Sequence, residues 1–180
     1  IFDKELLKNC KNSSIDCFDY HAMPGILKNI KIVDNNQLSW FKIDAMDSWW
    51  VKKERYDIVI CNALLEHVTN PDLLISNLYQ MCKKDGVIFI LAPCVNSVMY
   101  KFLGKRWVYI IPGEHLTIPS LRGLISIMEK YPLSKMELKK ISPTYSSKYI
   151  IDALFKINLP KFLDFSINIP TGSFLLKIEK

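Results

Sequence analysis

The sequence predicts an α/β fold, with a mostly parallel sheet flanked by helices, and three observations support this. The clearest is segment 56–93, in which a buried strand, an amphipathic helix and a second buried strand follow one another. This order is typical of parallel sheets. Strand-like and helical patterns also alternate along most of the chain. Finally, 49% of the 180 residues are hydrophobic, enough for one domain with a sizeable core.

Within this β-α-β unit, polar residues gather where the first strand ends. Tyr56 to Cys61 is a short apolar, β-branched run. Asp72 to Lys84 carries leucines at helical spacing, and Asp85-Gly86 ends that helix before the strand Val87 to Leu91. Ligands of parallel sheets bind at the carboxyl ends of the strands. A site is therefore predicted at the turn after the first strand, which contains Asn62, Glu66 and His67.

The other elements are predicted from the same patterns. Further strands are predicted at 14–18, 38–43, 136–141 and 173–178, and helices at 2–11, 120–131 and 149–157, with a loop-rich segment at 94–119. Ser120 is the predicted cap of the middle helix. The first two of these strands end at Asp19 and Asp44, which share one rim of the sheet if the strands are parallel. A carboxylate in such a place is able to accept hydrogen bonds from the ribose of a nucleotide cofactor.

Composition narrows the class of partners and the compartment. The formal net charge is +6, and residues 121–180 hold ten basic and five acidic residues. The lysines are scattered, without arginine clusters or interleaved aromatics, so no nucleic-acid partner is expected. The five cysteines lack CxxC spacing, which favours reduced thiols in a cytoplasmic protein over disulfides or a metal site. Segment 149–170 leaves peripheral membrane contact open, although a cap over the sheet is preferred.

Three segments resemble the class I S-adenosylmethionine-dependent methyltransferases, and more narrowly their small-molecule group of types 11, 12 and 23. YDIVICNALLEHVTNPDLLISNLYQMCKKDGVIFILAP is similar to that group's fourth strand, LEH turn, helix and fifth strand. FLGKRWVYIIPGEHLTIPSLRGLI resembles the segment that follows in type 23, and INIPTGSFLLKIEK resembles the last strand. The resemblance covers about residues 14–180 and implies a Rossmann-like sheet whose last strand is reversed.

The resemblance implies S-adenosylmethionine as the cofactor and assigns residues to it. Asp19 matches the residue that binds the ribose, Asp44 matches the position that recognises the adenine edge, and the turn at Asn62 passes the methionine portion. The complete cofactor set that the resemblance implies is Asp19, Tyr20, Asp44, Ala45, Asn62 and Ala63.

On the acceptor side, the resemblance implies a small-molecule or saccharide acceptor, such as a glycan precursor. His115 and His67 are the candidate catalytic residues, because an imidazole is able to take a proton from the acceptor near neutral pH. His67 has a structural role more often than a catalytic one in this family. Trp107, Arg106 and Lys105 are candidate substrate-binding residues. No metal ligand is expected, and the oligomeric state stays open.

The family's first strand and glycine-rich loop find no match in these residues. The six glycines are dispersed, although glycine is what allows a backbone to approach a cofactor closely. We therefore expect an N-terminally truncated domain that binds the cofactor more weakly than micromolar. One alternative is a catalytically inactive methyltransferase-like domain that acts as a binding or scaffold subunit. A nucleotide-binding oxidoreductase remnant is disfavoured, since it would share the sheet but not the LEHV and GEHL segments.

Overall fold

The computed structural model describes residues 13–21, 37–48, 51–141, 144–147, 151, 160, 165–168 and 172–180. The chain divides into two compact units, residues 1–50 and residues 51–180, which are described separately below. The predicted helix at 2–11 and nearly all of the predicted helix at 149–157 lie outside the described residues.

The first unit contains a pair of parallel strands, as predicted. Strand β1 spans Ser14–Asp19 and strand β2 spans Gln37–Lys42, and they pair in register along their whole length. The rings of Phe18 and Phe41 stack across the pair with their centroids 5.2 Å apart. Because the strands are parallel, the residues that follow β1 and β2 emerge at the same rim.

The second unit is built on a four-stranded sheet with the order β3-β4-β8-β5. Its strands β3 and β4 are parallel, whereas β8 runs antiparallel to both β4 and β5, which confirms the predicted reversal of the last strand. Strands β6 and β7 form a short antiparallel pair that the sequence did not predict. The bounds are β3 Tyr56–Asn62, β4 Cys82–Pro93, β5 Lys135–Ile141, β6 Thr144–Ser146, β7 Ser166–Asn168 and β8 Ser173–Glu179.

Three α-helices in this unit have clear start signals. They are α1 at Pro71–Met81, α2 at Val98–Leu103 and α3 at Leu121–Met128. Asn70 caps α1 by accepting a hydrogen bond from the backbone N–H of Leu73 at 3.1 Å. Ser120 caps α3 in the same way, with the N–H of Gly123 at 3.0 Å, which confirms the predicted cap.

Two boundaries differ from the prediction. Helix α1 ends at Met81, and Lys83 and Lys84 belong to β4, because Cys82 already pairs with Tyr56 of β3. The Asp85-Gly86 pair therefore lies within a long strand, at the point where its register with β3 shifts, and does not end a helix. In addition, segment 94–119 is less loop-like than predicted, since it contains α2 and a 3₁₀ turn at Gly104–Arg106.

The core of the second unit lies on one face of its sheet. Val59, Ile88 and Ile178 share one register row and are almost fully buried. Each such side chain contributes about 1.5–3 kcal/mol when it leaves water. On the opposite face, Ile58 and Ile60 of β3 are 59% and 54% exposed, so the prediction that this strand is buried was wrong for one of its two faces. No helix in the described parts of the chain has the length and hydrophobicity needed to cross a membrane.

Candidate active site

The turn after β3 begins with an unusual backbone conformation. The N–H of Ala63 donates to the carbonyl of Leu91 at 2.9 Å, which continues the pairing with β4 one residue past the strand. Ala63 then adopts a φ of +48°, a conformation that costs free energy for any residue except glycine. A 3₁₀ turn at Leu65–His67 follows, and the fully buried Leu65 anchors it in the core. The structure therefore holds a strained turn at the end of β3, where the sequence predicted a site.

This turn is joined to the GEHL segment by hydrogen bonds that span about fifty residues. The carbonyl of Glu66 accepts from the backbone N–H groups of Leu116 at 2.8 Å and Thr117 at 3.1 Å. In return, Nδ1 of His67 lies 2.9 Å from the carbonyl oxygen of Glu114. Two of the three segments that carry the family resemblance are thus bonded directly to each other.

The two histidine rings lie against each other inside this unit. The centroids of His67 and His115 are 4.7 Å apart, and the rings are almost perpendicular. Nδ1 of His115 lies 2.7 Å from the carbonyl oxygen of Tyr109, whose own ring is nearly parallel to the imidazole at 6.3 Å. The Tyr109 hydroxyl is held in turn by the Ser173 hydroxyl at 2.9 Å. The imidazole of His115 is therefore held by the backbone carbonyl of Tyr109 at its Nδ1 atom and by the Tyr109 ring at its face.

These bonds determine which nitrogen of each imidazole carries the proton. A carbonyl oxygen only accepts hydrogen bonds, so Nδ1 of both His67 and His115 must donate. In the neutral ring, Nε2 then keeps its lone pair. Each imidazole consequently offers an atom that is able to accept a proton or bind a cation.

The carboxyl group of Glu66 is the third member of this cluster. The residue is 3% exposed, and among the described residues its Oε2 atom has no hydrogen-bond partner. Burial raises the pKa of the Glu66 carboxyl, while a hydrogen bond from its own backbone and the nearby His67 and His115 act in the opposite direction. A carboxylate here is costly unless a cationic neighbour compensates for it.

The three predicted substrate-binding residues occupy different environments. Lys105 and Arg106 are exposed in the 3₁₀ turn that follows α2. Trp107 is only 1% exposed, and its ring meets the edges of Tyr100 at 5.3 Å and Tyr109 at 5.1 Å. Trp107 therefore lies in the core in contact with Tyr109, and its side chain is not exposed to a substrate in this structure.

In the first unit, the predicted cofactor residues lie at the ends of β1 and β2. Asp19 accepts a hydrogen bond from the N–H of His21 at 2.7 Å, and Asp44 accepts one from the N–H of Met46 at 2.9 Å. The backbone N–H of Ile43 donates to the carbonyl of Asp19 at 2.8 Å, which links the two strand ends. Both carboxylates thus share one rim, as predicted.

The rest of the predicted cofactor set also lies at strand ends. Tyr20 is 66% exposed next to Asp19, and Ala45 lies in the turn after β2. In the second unit, Asn62 is exposed at the end of β3, next to Ala63. Two carboxylates on one rim beside an exposed ring fit the adenosine half of S-adenosylmethionine, because adenosine offers hydroxyl and amino donors and a flat face.

Sequence reasoning missed two functional features of the cluster. It assigned no role to the Glu66 side chain, and it did not identify Tyr109 as the residue that orients His115. The available signal was weak, because it consists of the glutamate next to His67 and an aromatic six residues before His115. Only the hydrogen bonds between the two segments bring these side chains together.

Comparison with known proteins identifies the family. A family model described as a methyltransferase domain matches residues 5–138 of this chain. Because the match covers more than half of its length, the chain belongs to this methyltransferase domain family. With the fold above, it is a class I S-adenosylmethionine-dependent methyltransferase domain.

Two relatives with known names are similar to parts of the chain. The (S)-coclaurine N-methyltransferase of Papaver somniferum is 26% identical over 149 residues, which cover 74% of this chain and 40% of the relative. The ubiquinone biosynthesis O-methyltransferase of Glaesserella parasuis serovar 5 is 31% identical over 78 residues, which cover 43% of this chain and 30% of the relative. This chain therefore spans less than half the length of either relative.

Solved structures support the fold. A SAM-dependent methyltransferase from Archaeoglobus fulgidus superimposes with a TM-score of 0.59 at 16% identity, covering 98% of this chain and 89% of that protein. The MccD protein superimposes with a TM-score of 0.62 at 16% identity, covering 98% of this chain and 84% of that protein. At this identity, the likeness concerns the architecture alone.

Proposed function

We propose that this chain transfers the methyl group of S-adenosylmethionine to an oxygen or nitrogen of a small-molecule acceptor, with saccharides included in that class. The observation that carries the proposal is the union of the LEH turn and the GEHL segment, which places two imidazoles 4.7 Å apart beside a strand end. The similarity to an N-methyltransferase and an O-methyltransferase of small molecules supports the choice of acceptor.

The cofactor contacts are those that the family resemblance implies, and the strand-end positions of the residues support them. Asp19 would accept hydrogen bonds from the ribose hydroxyls, Asp44 and Ala45 would hold the adenine edge, and Tyr20 would contact the adenine ring. The turn at Asn62 and Ala63 offers backbone groups to the methionine portion. When bound, S-adenosylmethionine would supply a methyl group on a positively charged sulfur, and the acceptor would attack the methyl carbon in line as the sulfur leaves.

The histidines then handle the proton that the acceptor loses. Nε2 of His115 takes the proton from the acceptor hydroxyl or amine, since Nδ1 is already committed to the Tyr109 carbonyl. The bond to Tyr109 also fixes the direction in which this nitrogen points. Trp107 supports Tyr109 from below, and Lys105 and Arg106 are available for an anionic group on the acceptor. Correct alignment of the acceptor supplies several kcal/mol of the rate acceleration.

The proposal is tested by measuring S-adenosylhomocysteine formation with a phenol, a secondary amine and a nucleotide-sugar as acceptors. We expect turnover with at least one of them and a loss of about 100-fold or more on His115→Gln, in line with the effect of removing a general base. Lys139→Gln is the control, because Lys139 is exposed on the edge strand β5.

Two outcomes would contradict the proposal. If His115→Gln lowered cofactor affinity as much as turnover, His115 would not act on the acceptor side. If the chain bound the cofactor but formed no product with any acceptor class, an inactive binding or scaffold role would replace methyl transfer.

A further inference from the structure

We propose that Glu66, His67 and His115 bind a divalent transition-metal ion such as zinc. Each residue offers one donor atom, and the three atoms lie within 4.8 Å of one another. The sequence had indicated no metal site. This inference does not depend on methyl transfer, since it concerns what the cluster binds. An ion bound by Nε2 of His115 occupies the lone pair that would otherwise take a proton, so the ion-bound cluster and proton uptake by His115 are alternative states.

The set of donors selects the class of ion. Two imidazole nitrogens and one carboxylate oxygen are a known ligand set for zinc and for similar ions such as cobalt(II) and iron(II), with further positions left open. Calcium and magnesium prefer sites made of oxygen ligands. The cluster therefore favours a transition metal.

The orientation of both rings is the one that metal-binding histidines normally have. Such histidines donate their second ring N–H to a carbonyl or carboxylate, which directs the other nitrogen at the metal. Nδ1 of His67 donates to the Glu114 carbonyl, and Nδ1 of His115 donates to the Tyr109 carbonyl. Two independent backbone groups thus leave two Nε2 lone pairs available.

The buried carboxylate is a second observation that points to a cation as the ligand. Oε2 of Glu66 has no hydrogen-bond partner among the described residues, although the residue is only 3% exposed to solvent. A buried carboxylate oxygen without a partner is unfavourable, and buried charges are normally paired or bound to a metal. A divalent cation bound between the three side chains would give this oxygen a direct partner.

Binding requires a small contraction of the cluster. Bonds of about 2.0–2.2 Å in a tetrahedral site place donor atoms about 3.4 Å apart. Donor atoms that lie up to 4.8 Å apart must therefore approach one another by up to about 1.4 Å. The bonds of the Glu66 carbonyl to Leu116 and Thr117 already hold the two segments together, so the contraction concerns the three side chains. His67 is exposed, which gives the ion access and leaves coordination positions for water or an acceptor atom.

The test is a titration of the chelator-treated, full chain with cobalt(II), followed by visible absorption and by displacement with zinc. We expect one ion per chain. Glu66→Gln and His115→Gln should each lower the affinity by at least about 10–100-fold, the range found when even the supporting groups of metal ligands are removed. His21→Gln is the control and should leave the affinity unchanged.

Several results would overturn the proposal. One is the absence of stoichiometric binding by the wild-type chain, and another is equal binding by the His67→Gln/His115→Gln double variant. A thiolate-to-cobalt absorption band would also overturn it, because the ion would then be bound by cysteine.

Circular dichroism checks that each variant is folded, and Glu66→Gln keeps the shape of the side chain. Since no S-adenosylmethionine is present, the outcome is separate from that of the transfer assay.

Discussion

The two regions that carry the predicted site are stabilised in different ways. In the first unit, Asp19 and Asp44 each accept a hydrogen bond from a backbone N–H two residues further along the chain. In the second unit, the groups around His67 and His115 connect residues that are separated by up to 64 positions, as in the bond between Tyr109 and Ser173. The aspartate side chains of the first region are held by local turns, whereas the histidines of the second region are held by bonds between distant segments.

This difference has a functional meaning. Aspartate in a turn is common, because its side chain readily bonds to nearby backbone groups. The bonds of Asp19 and Asp44 are therefore expected even without a ligand. Two histidines with directed Nδ1 atoms beside a buried glutamate have no such local explanation. The cluster is consequently the stronger structural argument for a functional site, although the family resemblance assigned roles to both regions.

The largest expected effect on stability comes from Gly172, which packs against Ser97 and Trp107. A Cβ atom at Gly172 would lie 2.0 Å from Cβ of Ser97 and 3.3 Å from the ring of Trp107, and its φ is +99°. Overpacking costs about 1–3 kcal/mol and the positive φ about 1–2 kcal/mol more. We therefore expect Gly172→Ala to lower the free energy of unfolding by about 3 kcal/mol, measured by urea denaturation.

The matched control for this substitution is Gly113→Ala. Gly113 has a φ of +87°, but a Cβ added there would meet no atom within 4 Å, so only the backbone cost of about 1–2 kcal/mol applies. Equal losses in the two variants would show that the packing beneath Trp107 does not support the cluster as described.

A smaller effect distinguishes the interiors of the two units. Burial raises the pKa of the Cys61 thiol to about 12 in the second unit, and burial with nearby Asp16 and Asp19 raises the pKa of Cys17 to about 11 in the first. At a given pH between 8 and 9, the thiolate fraction of Cys61 is then about tenfold smaller. We expect iodoacetamide to label Cys17 about tenfold faster, as read by peptide mass spectrometry. Faster labelling of Cys61 would mean that the second unit opens more readily than its contacts indicate.

The smallest effect concerns the hydroxyl that holds Tyr109. Tyr109→Phe removes the bond to Ser173 but keeps the ring against His115, so the expected loss of stability is about 1 kcal/mol. Tyr79→Phe is the control, because it loses a comparable bond to the Pro132 carbonyl elsewhere in the unit. NMR signals of His115 should shift in the first variant only. Equal shifts in both would contradict the orienting role of Tyr109.

The sequence predicted those features that local patterns determine. The Ser120 cap is an example, since neighbouring residues decide helix capping. The apolar run from Tyr56 forms the predicted strand, but its predicted burial was wrong on one face, because burial depends on what packs there and not on the run itself. It misplaced Lys83 and Lys84, because the pairing of Cys82 with Tyr56 is a tertiary contact that overrides helical spacing. It named both histidines from the resemblance, yet their contact depends on bonds between distant segments.

The same reasoning explains why the role of Glu66 was missed. Its side chain is recognisable as a potential ligand only when His115, almost fifty residues away, is known to lie beside it. In the first unit the strand-end positions of Asp19 and Asp44 were predictable, because parallel strands place their carboxyl ends at one rim.

The central claim is that the aspartates of the first unit bind the cofactor, whereas the histidine cluster of the second unit serves the acceptor. Calorimetric titration with S-adenosylhomocysteine tests it most directly, with the wild-type chain, Asp19→Asn and His115→Gln compared at concentrations suited to weak binding. We predict that Asp19→Asn weakens binding by about 1–3 kcal/mol, while His115→Gln leaves it unchanged. Unchanged affinity in Asp19→Asn, or an equal loss in both variants, would contradict the account.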